Sequence, residues 1–122
     1  MTHIKNSLIL ECKNKLLTEK ANLLNRYHQN RIEFQNRDDA GDEMDQSVRL
    51  LAEKSFVSTQ DRIRKTLFEI ESALERIQKN IYGFCEETSQ PIEEDRLLAI
   101  PWTRLSIEGA ELLESLSKRF VR

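Results

Sequence analysis

This chain of 122 residues is poor in breakers: it has three glycines and two prolines. So few turn formers exclude an all-β fold, which needs a turn every ten residues or so. Aromatic residues are scarce at 7%, and only 39% of the chain is apolar while a third is charged. Such a composition buries a narrow seam more readily than a wide core. There is no apolar run of eighteen or more residues, which excludes a transmembrane helix. Charge of neither sign prevails, with a net of −2, so the chain is not a general polyanion binder. The N-terminus has no signal-peptide core, and a cytoplasmic location is expected. The two cysteines, Cys12 and Cys85, lie far apart in sequence and are expected as free thiols. No Ser-His-Asp set, nucleotide-binding glycine loop or cluster of metal ligands occurs, so the chain is not expected to be an enzyme.

What is present is helical periodicity. Apolar residues fall at Ala52, Phe56, Ile63, Leu67, Ile70, Leu74, Ile77 and Ile81, and from Ile63 onward they recur in alternating steps of four and three. This is the seam of a helix pressed along its length against another helix. Ile4 to Phe34 repeats the spacing, through Leu8, Cys12, Leu16, Leu23, Leu24 and Tyr27. The expected architecture is all-α: a long antiparallel coiled-coil hairpin over residues 1–81, with its tip at about 37–45. The second helix runs from about Met44 to Ile81, roughly 55 Å at 1.5 Å per residue. Tyr82-Gly83 is expected to end it. Residues 82–122 then form an irregular knuckle and a C-terminal helix from Ile107 to about Val121, capped by Ser106. Its stripe of Ile107, Ala110, Leu113, Leu116 and Phe120 is expected to pack on the first helix.

The tip is the sharpest chemical feature. Asp38, Asp39, Asp42, Glu43 and Asp45 crowd five carboxylates into one connection. Like charges this close repel, so the cluster is costly unless a partner offsets it or the turn is fully solvated. Asp42 or a neighbour can cap the second helix. A calcium loop is excluded, because the alternating ligand spacing and the glutamate at the twelfth position are missing.

The segment Tyr82-Gly83-Phe84-Cys85-Glu86-Glu87-Thr88-Ser89 leads to Pro91-Ile92. Arg96-Leu97-Leu98-Ala99-Ile100-Pro101 follows, then Ser106 and Gly109. This region resembles the DksA/TraR family of RNA polymerase-binding regulators, which carry an aromatic-Gly-x-Cys-x-x-Cys-Gly knuckle, an Arg-Leu-x-Ala-x-Pro run and a second Cys-x-x-Cys. Cys85 stands at the first cysteine position; Thr88, Ser106 and Gly109 stand at the other three. Structural zinc takes four Cys or His ligands. The resemblance therefore implies a degenerate, metal-free knuckle, with no cofactor and with Tyr82, Phe84, Ile92, Leu97, Leu98, Ile100 and Trp102 holding it by packing. Continued without a gap, the family's tip signature Asp-x-x-Asp-x-Ala falls on Asp42, Asp45 and Ser47. It implies a tip that enters the polymerase secondary channel near the catalytic magnesium. Arg62 falls at a polymerase-contact position on the second helix. The basic positions of the family's site for the alarmone ppGpp, the stringent-response signal, fall on Glu69, Ile100 and Ala110, none of them basic. The implied protein is a bacterial transcription regulator acting as a monomer, without direct DNA binding and without a membrane.

Two other classes fit parts of the pattern. One is a coiled-coil adaptor with no polymerase contact. The other is a Gre-like transcript-cleavage factor, which also carries a hairpin. Its C-terminal domain is large and β-rich, and the forty or so residues after Ile81 are helical in pattern.

Overall fold

In a computed structural model of the chain, residues 4–37 and 45–120 are described. Four helices make up the fold: α1 (Asn6–Gln35), α2 (Gln46–Gln78), α3 (Glu94–Ala99) and α4 (Ile107–Phe120). Most of the expected tip, Asp42 included, lies outside the described residues. The architecture is the expected all-α one, an antiparallel helical hairpin followed by a knuckle and a last helix.

The chain divides into two compact units, Glu19–Phe68 and a second made of Met1–Thr18 with Glu69–Arg122. Within Glu19–Phe68 the facing stretches of α1 and α2 run antiparallel. Phe34 stacks on Phe56 with ring centroids 4.2 Å apart, and the Arg37 guanidinium lies 4.9 Å over the Phe34 ring. Leu23 and Ile63 are buried between them. The periodicity skips one seam position, Gln60, because it is polar. It is nevertheless buried. Its amide donates to the Tyr27 carbonyl (3.1 Å) and accepts from Asn30 (3.2 Å), so both ends of the side chain are satisfied. A single satisfied amide in an apolar seam favours one register over its neighbours.

The second unit holds the main core. Leu16, Cys12, Ile70, Ala73 and Leu97 are fully buried, with Leu8, Tyr82 and Ile92 nearly so. Each such leucine contributes about 1.5–3 kcal/mol relative to exposure. α2 ends earlier than Tyr82-Gly83, at Gln78. Asn80 takes a left-handed conformation (φ 62°). Its N–H bonds to the Ile77 carbonyl at 3.1 Å, and the Ile81 N–H reaches back to Arg76 at 3.0 Å. This is a Schellman stop, which tolerates asparagine where glycine is commoner. Gly83 is needed for a different reason: its φ is 94°, and a Cβ there would strike the Ile4 side chain.

Between Phe84 and Leu105 the structure is more regular than the sequence suggests. An isolated antiparallel bridge joins Phe84 to Pro91, and α3 occupies Glu94–Ala99. α4 begins where expected, with the Ser106 hydroxyl accepting from the Gly109 N–H at 3.0 Å. The Glu93 carboxylate accepts from the Ile107 N–H at 3.1 Å. The expected burial of the α4 stripe is not found. Leu112, Leu113 and Leu116 keep 43–47% of their surface exposed, and every residue from Glu111 to Arg119 is exposed. Gly109 is the buried residue of α4, and it is packed on the knuckle. No helix among the described residues is long and apolar enough to cross a membrane.

Candidate functional site: a knuckle closed by hydrogen bonds, and an acidic cap

The knuckle starts as a tight loop. The Cys85 N–H bonds the Gln90 carbonyl (2.8 Å), the Ser89 N–H bonds the Cys85 carbonyl (2.9 Å), and the Ile92 N–H bonds the Gly83 carbonyl (2.7 Å). Ser89 takes a left-handed turn conformation (φ 61°). The loop folds onto the 100–106 segment through the Glu86 N–H, which bonds the Arg104 carbonyl at 2.9 Å.

These bonds bring together all four positions singled out in the sequence. Cys85 is buried, and hydrogen-bonding groups of Thr88 and Ser106 face its sulfur. Gly109 presses on the same sulfur: a Cβ at Gly109 would fall closer to Cys85 Sγ than two heavy atoms can approach. Burial pushes the Cys85 thiol up, but the side chains and backbone amides of Ser106 and Thr88 outweigh it and bring the thiol down to about 6. Each hydroxyl is anchored in turn, since Ser106 Oγ accepts from Gly109 and Thr88 Oγ1 accepts from the Gln90 N–H at 3.3 Å.

This set of groups does not fit a tetrahedral zinc ion. It offers one thiol, two hydroxyls and a glycine with no side chain, where structural zinc takes four Cys or His ligands. Among the described residues, no three His, Cys, Asp or Glu side chains converge on one point where a metal could sit.

Further bonds hold the knuckle from outside. Tyr82 is buried, its hydroxyl donates to the Pro101 carbonyl at 2.7 Å, and burial drives its pKa far up. Arg96 Nε donates to the Leu105 carbonyl at 2.7 Å. Ile92 and Leu97 are buried as expected. Leu98, Ile100 and Trp102 are half-buried, and Phe84 is 37% exposed, so packing alone does not close the loop. The polar part was not legible in the sequence. Arg104 grips Glu69 (2.7 Å), Glu86 (3.0 Å) and the Ser72 hydroxyl (2.7 Å), which ties the knuckle to α2. Arg76 Nη2 reaches the carbonyls of Trp102 and Thr103, both at 3.4 Å. The 35-residue separation of Arg104 and Glu69 left no local signal for their pairing.

At the start of α2, Asp45 is exposed and performs the capping role expected of Asp42 or a neighbour. Its Oδ1 accepts from the Ser47 N–H (3.1 Å), and its carbonyl accepts from Val48 (3.0 Å) and Arg49 (3.1 Å). Ser47 and Arg62 are exposed. The Arg62 carbonyl accepts from Thr66 Oγ1 at 3.0 Å, which leaves its guanidinium role untouched.

Fold and site together define a helical-hairpin protein with a zinc-finger-shaped but ligand-poor knuckle. Residues 80–114 match the prokaryotic dksA/traR C4-type zinc finger. The chain resembles the solved structure of transcription factor DksA2 from Pseudomonas aeruginosa with a TM-score of 0.83 at 29% identity, over 93% of this chain and 88% of that one. An uncharacterized protein of Aquifex aeolicus (strain VF5) is 38% identical over 128 residues, 97% of this chain and 84% of that protein. The RNA polymerase-binding transcription factor DksA of Caulobacter vibrioides (strain NA1000 / CB15N) is 45% identical over 53 residues, 43% of this chain and 37% of that protein. The chain belongs to the DksA/TraR family.

Proposed function

We propose that this protein is a DksA-like transcription regulator that binds RNA polymerase directly. Likeness to DksA2 along 93% of the chain carries this reading, because it covers hairpin and knuckle together. In this reading a single copy, in the cytoplasm, enters the secondary channel without touching DNA. Asp42, Asp45 and Ser47 act near the catalytic magnesium and alter the lifetime of initiation complexes. Arg62, exposed on α2, meets the rim of the enzyme. The protein supplies charge and shape and carries out no reaction of its own.

The knuckle works without zinc in this proposal, because hydrogen bonds and the Gly109 contact hold Cys85 where the family would use metal. The alarmone site is absent too. Glu69 is a carboxylate already held by Arg104, and Ile100 and Ala110 bring no charge. The Gre-like reading loses support from the helical character of residues 107–120. An adaptor that never meets polymerase remains the rival class.

The test is binding to core RNA polymerase by the wild type and by Asp42→Asn/Asp45→Asn, with promoter-complex lifetime followed in parallel. Asparagine also caps helices, so the variant stays folded. The expected result is equal binding with loss of the lifetime effect. No binding by the wild type would leave the adaptor reading.

A further inference from the structure

The seam uses one side of α2, and the outer side is not bare of apolar residues. Leu50, Val57 and Phe68 keep 54%, 55% and 67% of their surface exposed. They follow one another at seven and eleven residues, close to two and three whole turns, so they share one line along the helix. A groove of about 510 Å³ runs past Leu50 and Val57. Single exposed apolar side chains are ordinary, but a line of three over roughly 27 Å marks a contact surface.

The charges along the groove indicate what fits it. Lys54, Arg62 and Lys65 line it and are exposed, and none of them pairs with a carboxylate among the described residues. Two carboxylates share the groove, and one of them, Asp61, is already held by Arg64. The other is Glu53, so positive charge prevails. The complement of such a surface is apolar residues edged by carboxylates. A phosphate backbone would answer the cations but leave Leu50, Val57 and Phe68 uncovered. Lys54 and Lys65 lie eleven residues apart, about three turns, and a helix laid alongside can present acidic residues at that same spacing.

Position along α2 supplies the owner of that helix, and here the inference rests on the polymerase reading above. Leu50 stands five residues past the Asp45 cap, roughly 8 Å along the axis. A tip that enters polymerase carries the first turns of α2 in with it, and their outer face then meets the enzyme. We propose that the outer face of α2, from Leu50 to Phe68, sets the affinity for polymerase, and that its occupant is an acidic amphipathic helix of that enzyme. The tip alters the initiation complex, and this face holds the tip in place.

Binding of the full chain to core RNA polymerase tests this. Val57→Ser, Phe68→Ser and the double change Lys54→Glu/Lys65→Glu should each weaken binding about tenfold. All four positions are exposed, and circular dichroism checks that each variant keeps its helices. Raising the protein concentration should recover the lifetime effect, because the tip is intact. A carbodiimide, which joins an amine directly to a carboxylate, should link Lys54 and Lys65 of the wild type to acidic residues of one polymerase helix. Variants that bind as tightly as the wild type overturn the inference and leave the polymerase reading standing. Links only to carboxylates outside a helix also overturn it. A wild type that binds no polymerase overturns both.

Discussion

The sulfur of Cys85 occupies the space that a Cβ on Gly109 would need. Gly109→Ala therefore forces the knuckle apart, although alanine is the better helix former. Overpacking at a tight site costs about 1–3 kcal/mol, more than the roughly 1 kcal/mol gained in helix propensity. The variant should melt several degrees lower in thermal denaturation. A melting temperature at or above wild type would show that the contact relaxes freely.

Convergence of four positions also makes the lost metal site recoverable. Thr88→Cys/Ser106→Cys/Gly109→Cys supplies four thiols in one place. The new Cβ at position 109 displaces the Cys85 sulfur, so without metal this variant should melt below the wild type; cobalt(II) should restore its stability with the visible absorption of a tetrahedral thiolate site, and zinc should displace it. Wild-type melting, by contrast, should not change when a chelator is added.

The thiol of Cys85 links stability to pH. Its folded value of about 6 lies below the ordinary 9.0, so the folded chain gives up this proton first. The stabilisation is complete above pH 9, declines from 9 towards 6, and is lost below 6. Cys12 and Tyr82 act in the opposite sense, chiefly through burial, and oppose folding at more alkaline pH. Urea midpoints should thus rise between pH 6 and 8. In Cys85→Ala that rise should flatten.

Asp45 separates capping from charge. Asp45→Ala removes the bond to Ser47 and should cost about 1 kcal/mol of stability, while Asp45→Asn should cost only a few tenths. Chemical denaturation followed by circular dichroism checks both. Equal losses would mean that charge, and not the cap, holds the start of α2.

Much of this was legible because the fold is made by periodicity. The three-four spacing located α1 and α2, and Ile63 and Ile70 are buried as their spacing requires. The knuckle positions were legible through the resemblance carried by Cys85, Arg96 and Pro101. Other features were not, for physical reasons. Gln60 looked like a gap in the seam, because polarity hides burial when the partners Tyr27 and Asn30 are a helix away. Asn80 was a weak stop signal beside Gly83, although it alone takes the left-handed turn that ends α2. The stripe on α4 predicted burial, but periodicity records which face is apolar and not what covers it.

The distribution of contacts along the chain sets an order of assembly. Residues 19–68 form their unit from one continuous stretch, so its seam can form through contacts of short sequence separation. The other unit joins distant parts of the chain: the buried Cys12 thiol donates to the carbonyl of Leu97, and Lys15 to that of Leu98 at 3.1 Å. During synthesis α1 and α2 are complete before Leu97 is added. Until then Leu8, Cys12 and Leu16 have no knuckle to close on. Truncation ahead of Leu97 should therefore leave the Glu19–Phe68 seam formed while Leu8, Cys12 and Leu16 stay uncovered and prone to aggregation.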